Sequence, residues 1–217
     1  MRILITGSSN GIGLAATQKF LDAGHEVFGI DLTPSPIKAE KYSHHIGDVS
    51  KPETLPELCG IEILVNNAGV QDTGLGDINT NLLGVINTTE KYGLQPNIIS
   101  ILNVASASAH SGAEFPYYAA SKGGVLAYTK HTALEVAKWG ATCNSISPGG
   151  VTTQLNAPVM EDAEKWKLIM DETLLRKWAS PEEIAEWIYF LTVCSKSMTA
   201  QDVLIDNGEM AKANFVW

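Results

Sequence analysis

Short apolar runs alternate with longer amphipathic stretches along this chain. Arg2–Thr6 is a β-type run, followed by Gly7-Ser8-Ser9-Asn10-Gly11-Ile12-Gly13. A helical pattern follows, with Ile12, Leu14, Ala15, Phe20 and Leu21 as apolar positions, and stops near Gly24. Glu26–Leu32 reads as a second strand, so strand, glycine turn, helix and strand form a βαβ unit with an expected right-handed crossover. The segment 33–43 is polar and holds Pro34 and Pro36, which excludes a full helix there. The pattern predicts a third strand over His44–Val49, a brief helix at best over Lys51–Cys59, and a fourth strand over Ile61–Val65. A loop at Val70–Gly76 leads to a helix from Asn81 to about Tyr92, broken by Gly93 and Pro96. Ile98–Val104 is a mostly apolar fifth strand, expected to be buried on both faces.

A small-residue loop over Ala105–Phe115 precedes the longest helix, from Tyr117 to about Trp139, with Gly140 as its stop. Thr142–Ile146 is a sixth strand. Ser180-Pro181-Glu182-Glu183 is a capping box with proline at the first helical position, so a helix starts there and runs to about Thr192. Val203–Ile205 is the last strand. The whole reads as an α/β fold, doubly wound, with a parallel sheet of about seven strands and helices on both faces. No linker or repeat interrupts it, so residues 1–217 form one expected domain.

Composition narrows the function class. The 217 residues are 45% hydrophobic and 18% charged, as in an ordinary globular chain. A formal net charge of −9 argues against nucleic acid or an anionic membrane as the main partner. The apolar run at the N-terminus is too short for a signal peptide, and no run reaches the roughly 18 residues of a membrane span. Cys59, Cys143 and Cys194 show no metal-type spacing, and an odd, scattered set fits a reducing cytoplasm. The pair His44-His45 lacks surrounding ligand residues and reads as surface or satisfied core histidine, so no metal site is expected.

Two patterns carry chemistry. In the βαβ context Gly7 permits a tight turn, Gly11 lets backbone N–H groups approach a pyrophosphate at the helix N-terminus, and Gly13 permits close helix–strand packing. Asp31 ends the second strand, placed to accept bonds from an adenosine ribose diol and to repel a 2′-phosphate. No arginine or lysine stands in Ser8-Ser9-Asn10 or just after Asp31 to receive that phosphate, so NAD(H) is expected over NADP(H). Tyr118 and Lys122 lie one helical turn apart on the same face, where an ammonium can lower a phenol's pKa and make it a proton donor and acceptor near neutral pH.

The ordered set Thr6-Gly7-Ser8-Ser9-Asn10-Gly11-Ile12-Gly13, Asp48-Val49, Asn66-Asn67-Ala68-Gly69, Asn81, Ser106, Tyr118-x-x-x-Lys122, Asn144 and Pro148-Gly149 resembles the short-chain dehydrogenase/reductase family, in its compact single-domain branch. The resemblance spans essentially the whole chain. It implies that Tyr118 is the catalytic acid/base and that Lys122 lowers its pKa and binds the nicotinamide ribose. It implies further that Ser106 hydrogen-bonds the substrate oxygen, and that Asn81 holds a helix position and a water relaying protons to Lys122. Asp48 and Val49 are expected at the adenine, and Asn67, Ala68 and Gly69 beside the adenosine ribose. Pro148, Gly149, Val151 and Thr153 are expected over the nicotinamide. Ser9, Asn10, Ile12 and Leu32 complete the implied cofactor site. The implied activity is hydride transfer between NAD(H) and a secondary alcohol or ketone, in a homodimer or homotetramer assembled through the helices of Asn81 and Tyr118.

Departures from the family pattern bear on the details. Residues 33–43 lack the usual third helix, and 70–80 is short, which suggests a more open adenine groove. Ser106 is favoured over Ser108 because it ends the strand. Tyr117 has no lysine at the same spacing and is expected to line the substrate pocket instead. The stretch 154–175 carries Leu155, Val159, Met160, Trp166, Ile169, Met170, Leu174 and Leu175. It reads either as a helix pair packed on the core or as an apolar flap over the substrate. Two other functions compete with a dehydrogenase. One is a sugar-nucleotide epimerase, disfavoured by the glycine spacing and the lack of a larger C-terminal domain. The other is a cofactor-sensing protein without turnover, disfavoured by the intact Asn81, Ser106, Tyr118 and Lys122.

Overall fold

The computed structural model describes residues 1–113 and 115–211, so the last six residues of the expected domain lie outside it. Seven parallel strands form one sheet: β1 (Arg2–Thr6), β2 (Glu26–Asp31), β3 (Tyr42–Ile46), β4 (Ile63–Asn66), β5 (Ser100–Val104), β6 (Thr142–Pro148) and β7 (Asp202–Ile205). Their spatial order is β3-β2-β1-β4-β5-β6-β7. The order reverses between β1 and β4, and at such a switch point the crevice outside the strands' C-terminal ends receives ligands.

Alternation along the strands builds two cores. Ile3, Ile5, Ile63, Val65, Leu102 and Val104 face one layer. There they meet Phe20 of α1 (Gly11–Asp22) and Ile184 and Ile188 of α7 (Pro181–Tyr189). Leu4, Leu64, Ile101 and Cys143 face the other layer. That layer holds Tyr92 of α2, a helical stretch over 75–93, and Val136 of α4 (Pro116–Val136). The capping box of α7 is present, with the Glu183 amide donating to Ser180 Oγ at 3.2 Å and the Ser180 amide to Glu183 Oε2 at 2.9 Å. Gly140, at φ 71°, ends the turn after α4 in the left-handed conformation expected of a stop.

Several boundaries differ from expectation. β3 pairs Val27 with Tyr42 and Asp31 with Ile46, so it begins two residues before His44 and ends before Asp48-Val49. Apolar pattern misplaced it because β3 is an edge strand of largely polar residues, with register set by pairing rather than burial. α2 begins at Leu75, six residues before Asn81, and passes through two wide π-helical turns at Ile78–Leu83 and Thr89–Gly93. The loop over 105–115 contains a single helical turn, α3 (Ser108–Ser111). The 154–175 stretch holds α5 (Ala157–Glu161) and α6 (Ala163–Glu172), the latter capped by Asp162, which accepts from the Glu164 and Lys165 amides. Among the described residues no helix is long and apolar enough to cross a membrane.

Candidate active site

One cavity of about 1090 Å³ runs along the C-terminal ends of the strands, from Asp31 and Asp48 at one end to the α5–α6 flap at the other. The glycine turn forms its floor. Gly7 and Gly11 have φ of 68° and 51°, conformations costly for a side chain. A Cβ on Gly13 would collide with the Gly7 carbonyl oxygen, so this glycine allows α1 to pack onto the turn. Asn67 then ties β4 to the same turn, its Nδ2 donating to the Thr6 and Gly7 carbonyls at 3.0 and 3.1 Å. The N-cap of α1, Asn10, makes no side-chain capping bond, and Asn10, Gly11 and Ile12 line the cavity, where a helix N-terminus can receive an anion.

At the Asp31 end, Asp31 Oδ2 accepts from the Ser9 amide at 3.0 Å, and Oδ1 accepts from the Thr33 amide and hydroxyl, each at 3.0 Å. A carboxylate offers about four acceptor sites, so roughly one is left, on Oδ2, for a hydroxyl or other donor from the cavity. Asp48 is engaged in its own turn. Its Oδ1 accepts from the Ser50 amide and hydroxyl, and its Oδ2 meets Lys51 Nζ at 3.1 Å. Partial burial pushes this carboxyl up, but the Ser50 and Lys51 hydrogen bonds outweigh it and hold it below the ordinary range. Val49 is buried, packed where a Cβ on Gly84 would stand.

At the other end β5 delivers Ser106 and α4 delivers Tyr118 and Lys122. Ser106 Oγ accepts from the Ser108 amide at 3.2 Å, and its hydroxyl is near enough to the Tyr118 phenol to pull that group's pKa down. Ser108 lies beyond the strand end, on α3. Lys122 Nζ donates to the Val104 carbonyl at 2.7 Å and sits 5.8 Å from the Tyr118 ring centre. Burial pushes Lys122 down to about 8. Tyr118 is pushed up, chiefly by burial, with the Ser106 hydroxyl pulling it down and Asp77 pushing it up. The expected lowering of the phenol by Lys122 is thus not found. Both groups have lost water, and desolvation of the phenol dominates.

Most of the expected site residues line the cavity, including Asn10, Gly11, Ile12 and Leu32 on the turn side and Ala68 and Gly69 at the β4 end. Pro148, Gly149, Val151 and Thr153 line it as well, with Thr153 packed over Gly11. Ser9, Gly13 and Asn81 stand behind the wall. Ser9 supports Asp31. Asn81 is fully buried and clamps Val70, accepting from its amide at 2.8 Å and donating to its carbonyl at 2.9 Å, while also donating to Ser121 Oγ. Tyr117, expected to line the substrate pocket, is instead 49% exposed and outside the lining, because one residue along a helix turns a side chain about 100° away from its neighbour. Phe115, Glu209, Met210 and Trp178 line the cavity without having been singled out in the sequence. They come from a helix entry and from segments distant in the chain, where no local pattern marks them. Leu155, Val159, Leu168 and Ile169 of the flap face the cavity, which favours the lid over plain core packing.

Known proteins share this sequence pattern and fold. The family model described as short chain dehydrogenase matches residues 1–164. The 3-oxoacyl-acyl-carrier-protein reductase of Thermotoga maritima is 31% identical, over 94% of this chain and 96% of its own. A short chain dehydrogenase family protein from Francisella tularensis superposes with a TM-score of 0.88 at 28% identity, covering 97% of this chain and 99% of its own. The aldohexose dehydrogenase of Thermoplasma acidophilum superposes with a TM-score of 0.87 at 26% identity, covering 100% and 96%.

Proposed function

The chain belongs to the short-chain dehydrogenase/reductase family of nicotinamide-dependent oxidoreductases, and we propose that it transfers a hydride between NAD(H) and a secondary alcohol or ketone. The observation that carries this reading is the convergence of Ser106, Tyr118 and Lys122 at one end of a cavity whose other end is the Gly7–Gly13 turn and Asp31. Bound there, the nicotinamide supplies or accepts the hydride. The chain's own residues do the rest. The first turn of α1 holds the pyrophosphate, and Asp31 accepts from the adenosine ribose. Tyr118 holds a proton at its phenol oxygen, since its burial keeps it neutral, and it is poised to donate to a carbonyl oxygen. Ser106 donates to the same oxygen as charge develops on it. Lys122 binds the nicotinamide ribose with the N–H groups not given to Val104, and its nearby charge favours the phenolate left after proton transfer.

The flap's Leu155, Val159 and Ile169 suit a small to medium, largely apolar substrate. Exposed Leu83 on α2 and Leu134 on α4 support assembly through those two helices. The three free cysteines fit the cytoplasm. The test is a panel of alcohols and ketones with each cofactor, read by absorbance, alongside NADH fluorescence titration. Turnover of at least one member with NAD(H) is expected. NADH binding without turnover of any member would point to a sensor instead.

A further inference from the structure

The polar edge strand β3 takes no part in the reaction, yet it is wired to the cofactor end of the cavity. Its His44 places Nε2 3.0 Å from the Thr33 carbonyl oxygen and Nδ1 3.2 Å from the Tyr42 hydroxyl. That hydroxyl also lies 3.1 Å from Ser8 Oγ, in the glycine turn. Ser9 Oγ donates to the same Thr33 carbonyl at 2.8 Å. Thr33 in turn holds Asp31 Oδ1 through both its amide and its hydroxyl. A carbonyl oxygen only accepts, so Nε2 carries the proton that pins Thr33.

Gly29 shows that this relay has space reserved for it. It lies inside β2, where glycine weakens a strand, and a Cβ there would collide with the Tyr42 hydroxyl and Ser8 Oγ. The connection from Leu32 to Lys41 has no helix or strand of its own and contains two prolines, so nothing regular fixes Thr33 from that side. Hydrogen bonds from Ser9 and His44 hold it instead.

We propose that His44 is a positioning residue for cofactor choice: through Thr33 it fixes the Asp31 carboxylate that meets the adenosine ribose and excludes a 2′-phosphate. This rests on the reading of the cavity as an NAD(H) site. With His44 removed, the Thr33 carbonyl keeps only the Ser9 bond, the Thr33 donors to Asp31 Oδ1 are less firmly placed, and the carboxylate can turn away from the ribose.

The test is fluorescence titration of the purified protein with NADH and with NADPH, for the wild type, His44→Phe and His44→Gln, with a thermal melt of each. The wild type is expected to bind NADH more tightly. His44→Phe keeps a ring but no donor, and is expected to weaken NADH about three- to tenfold while leaving NADPH unchanged or tighter. His44→Gln, whose amide nitrogen can stand near the Nε2 position, is expected to recover most of the preference. Should His44→Phe fail to fold, Tyr42→Phe, which strips the Nδ1 partner, is expected to move the ratio in the same direction. An unchanged NADH-to-NADPH ratio in a folded variant overturns the role of His44 and leaves the NAD(H) reading intact. A wild type that binds neither cofactor, or prefers NADPH, overturns that reading and this one with it.

Discussion

Lys122 Nζ donates to the Val104 carbonyl at 2.7 Å, and this bond sets the distance between two functional elements. Val104 closes β5 two residues before Ser106, and Lys122 stands one turn after Tyr118 on α4. The serine and the tyrosine are therefore held in register by the lysine, apart from anything it does to their charges. The cost is a buried ammonium, 4% exposed, with one acceptor among the described residues.

That cost has a pH signature. Burial lowers Lys122 from 10.5 to about 8 in the folded protein. Below pH 8 the fold carries the buried charge at its full penalty. Between about 8 and 10.5 the unfolded chain still holds a proton that the folded chain has released, so this group's contribution to stability rises with pH across that window. Urea unfolding at several pH values, for the wild type and Lys122→Met, checks the sign. The difference between the two chains isolates this residue from the tyrosines that titrate nearby. Wild type should gain on Lys122→Met as pH rises through the window, and a flat difference would refute the burial penalty.

Tyr118→Phe removes the phenol that lines the cavity with Ser106 and Lys122. Turnover should fall by about 10²–10⁴-fold, the range for a positioned acid/base, while NADH affinity changes little. Steady-state rates and cofactor fluorescence on the same preparation separate the two effects. Surviving activity would remove the catalytic assignment.

Ser106 and Ser108 can be told apart. Ser106 is buried just past the strand end, where it pulls the Tyr118 phenol's pKa down, whereas Ser108 opens α3 at the cavity wall. Ser106→Ala should lower kcat by about 10²–10³-fold, as for loss of one donor to a developing oxyanion. Ser108→Ala should cost less than about tenfold, since its amide bond to Ser106 Oγ survives the substitution. The reverse order would move the role to Ser108.

Asp31→Ala deletes a carboxylate that already accepts three bonds from Ser9 and Thr33. NADH affinity should fall about 10- to 100-fold, the range for a lost charged hydrogen bond, and NADPH should gain relative to it. Equal affinity losses for the two cofactors would remove the discriminating role.

The sequence was most legible where a local pattern has one physical reading. Strand–glycine–helix fixes the Gly7–Gly13 turn, and the spacing of Tyr118 and Lys122 puts both on one helical face. It was least legible where burial does not write the pattern. β3 is polar, so its start at Tyr42 depends on pairing with Val27, and the role of His44 depends on a bond to Thr33 across the strand's edge. The pKa of Tyr118 was misread in direction because spacing reports a neighbouring charge but not the loss of water around both groups. Glu209 and Met210 reach the cavity from beyond β7, a contact that only the closed sheet creates.

The flap offers a prediction independent of knowing the substrate. Trp166 of α6 meets Trp178 edge-on, with ring centres 5.0 Å apart and planes at 83°. Trp178 in turn lies over Gly150, where a Cβ would strike its indole, and its neighbour Ala179 bonds to both sides of that turn. The Ala179 amide donates to Gly150 at 3.1 Å, and the Thr152 amide donates to Ala179 at 2.9 Å. Trp178 is therefore part of the body, and Trp166 is the flap's contact with it. An edge-to-face pair contributes about 0.5–1.5 kcal/mol beyond burial, enough to shift flap opening by roughly two- to tenfold. Trp166→Ala should speed tryptic cleavage at Lys165 or Lys167 by that factor and raise KM for any substrate found, with NADH affinity unchanged. Trp178→Ala should do the same and also weaken NADH, because it loosens the Gly149-Gly150 turn. If Trp166→Ala leaves cleavage at wild-type rate, the ring pair does not hold the flap and another contact must. The candidate would then be Leu174 against Gly208, with the Leu175 amide bonded to the Asn207 carbonyl at 3.1 Å.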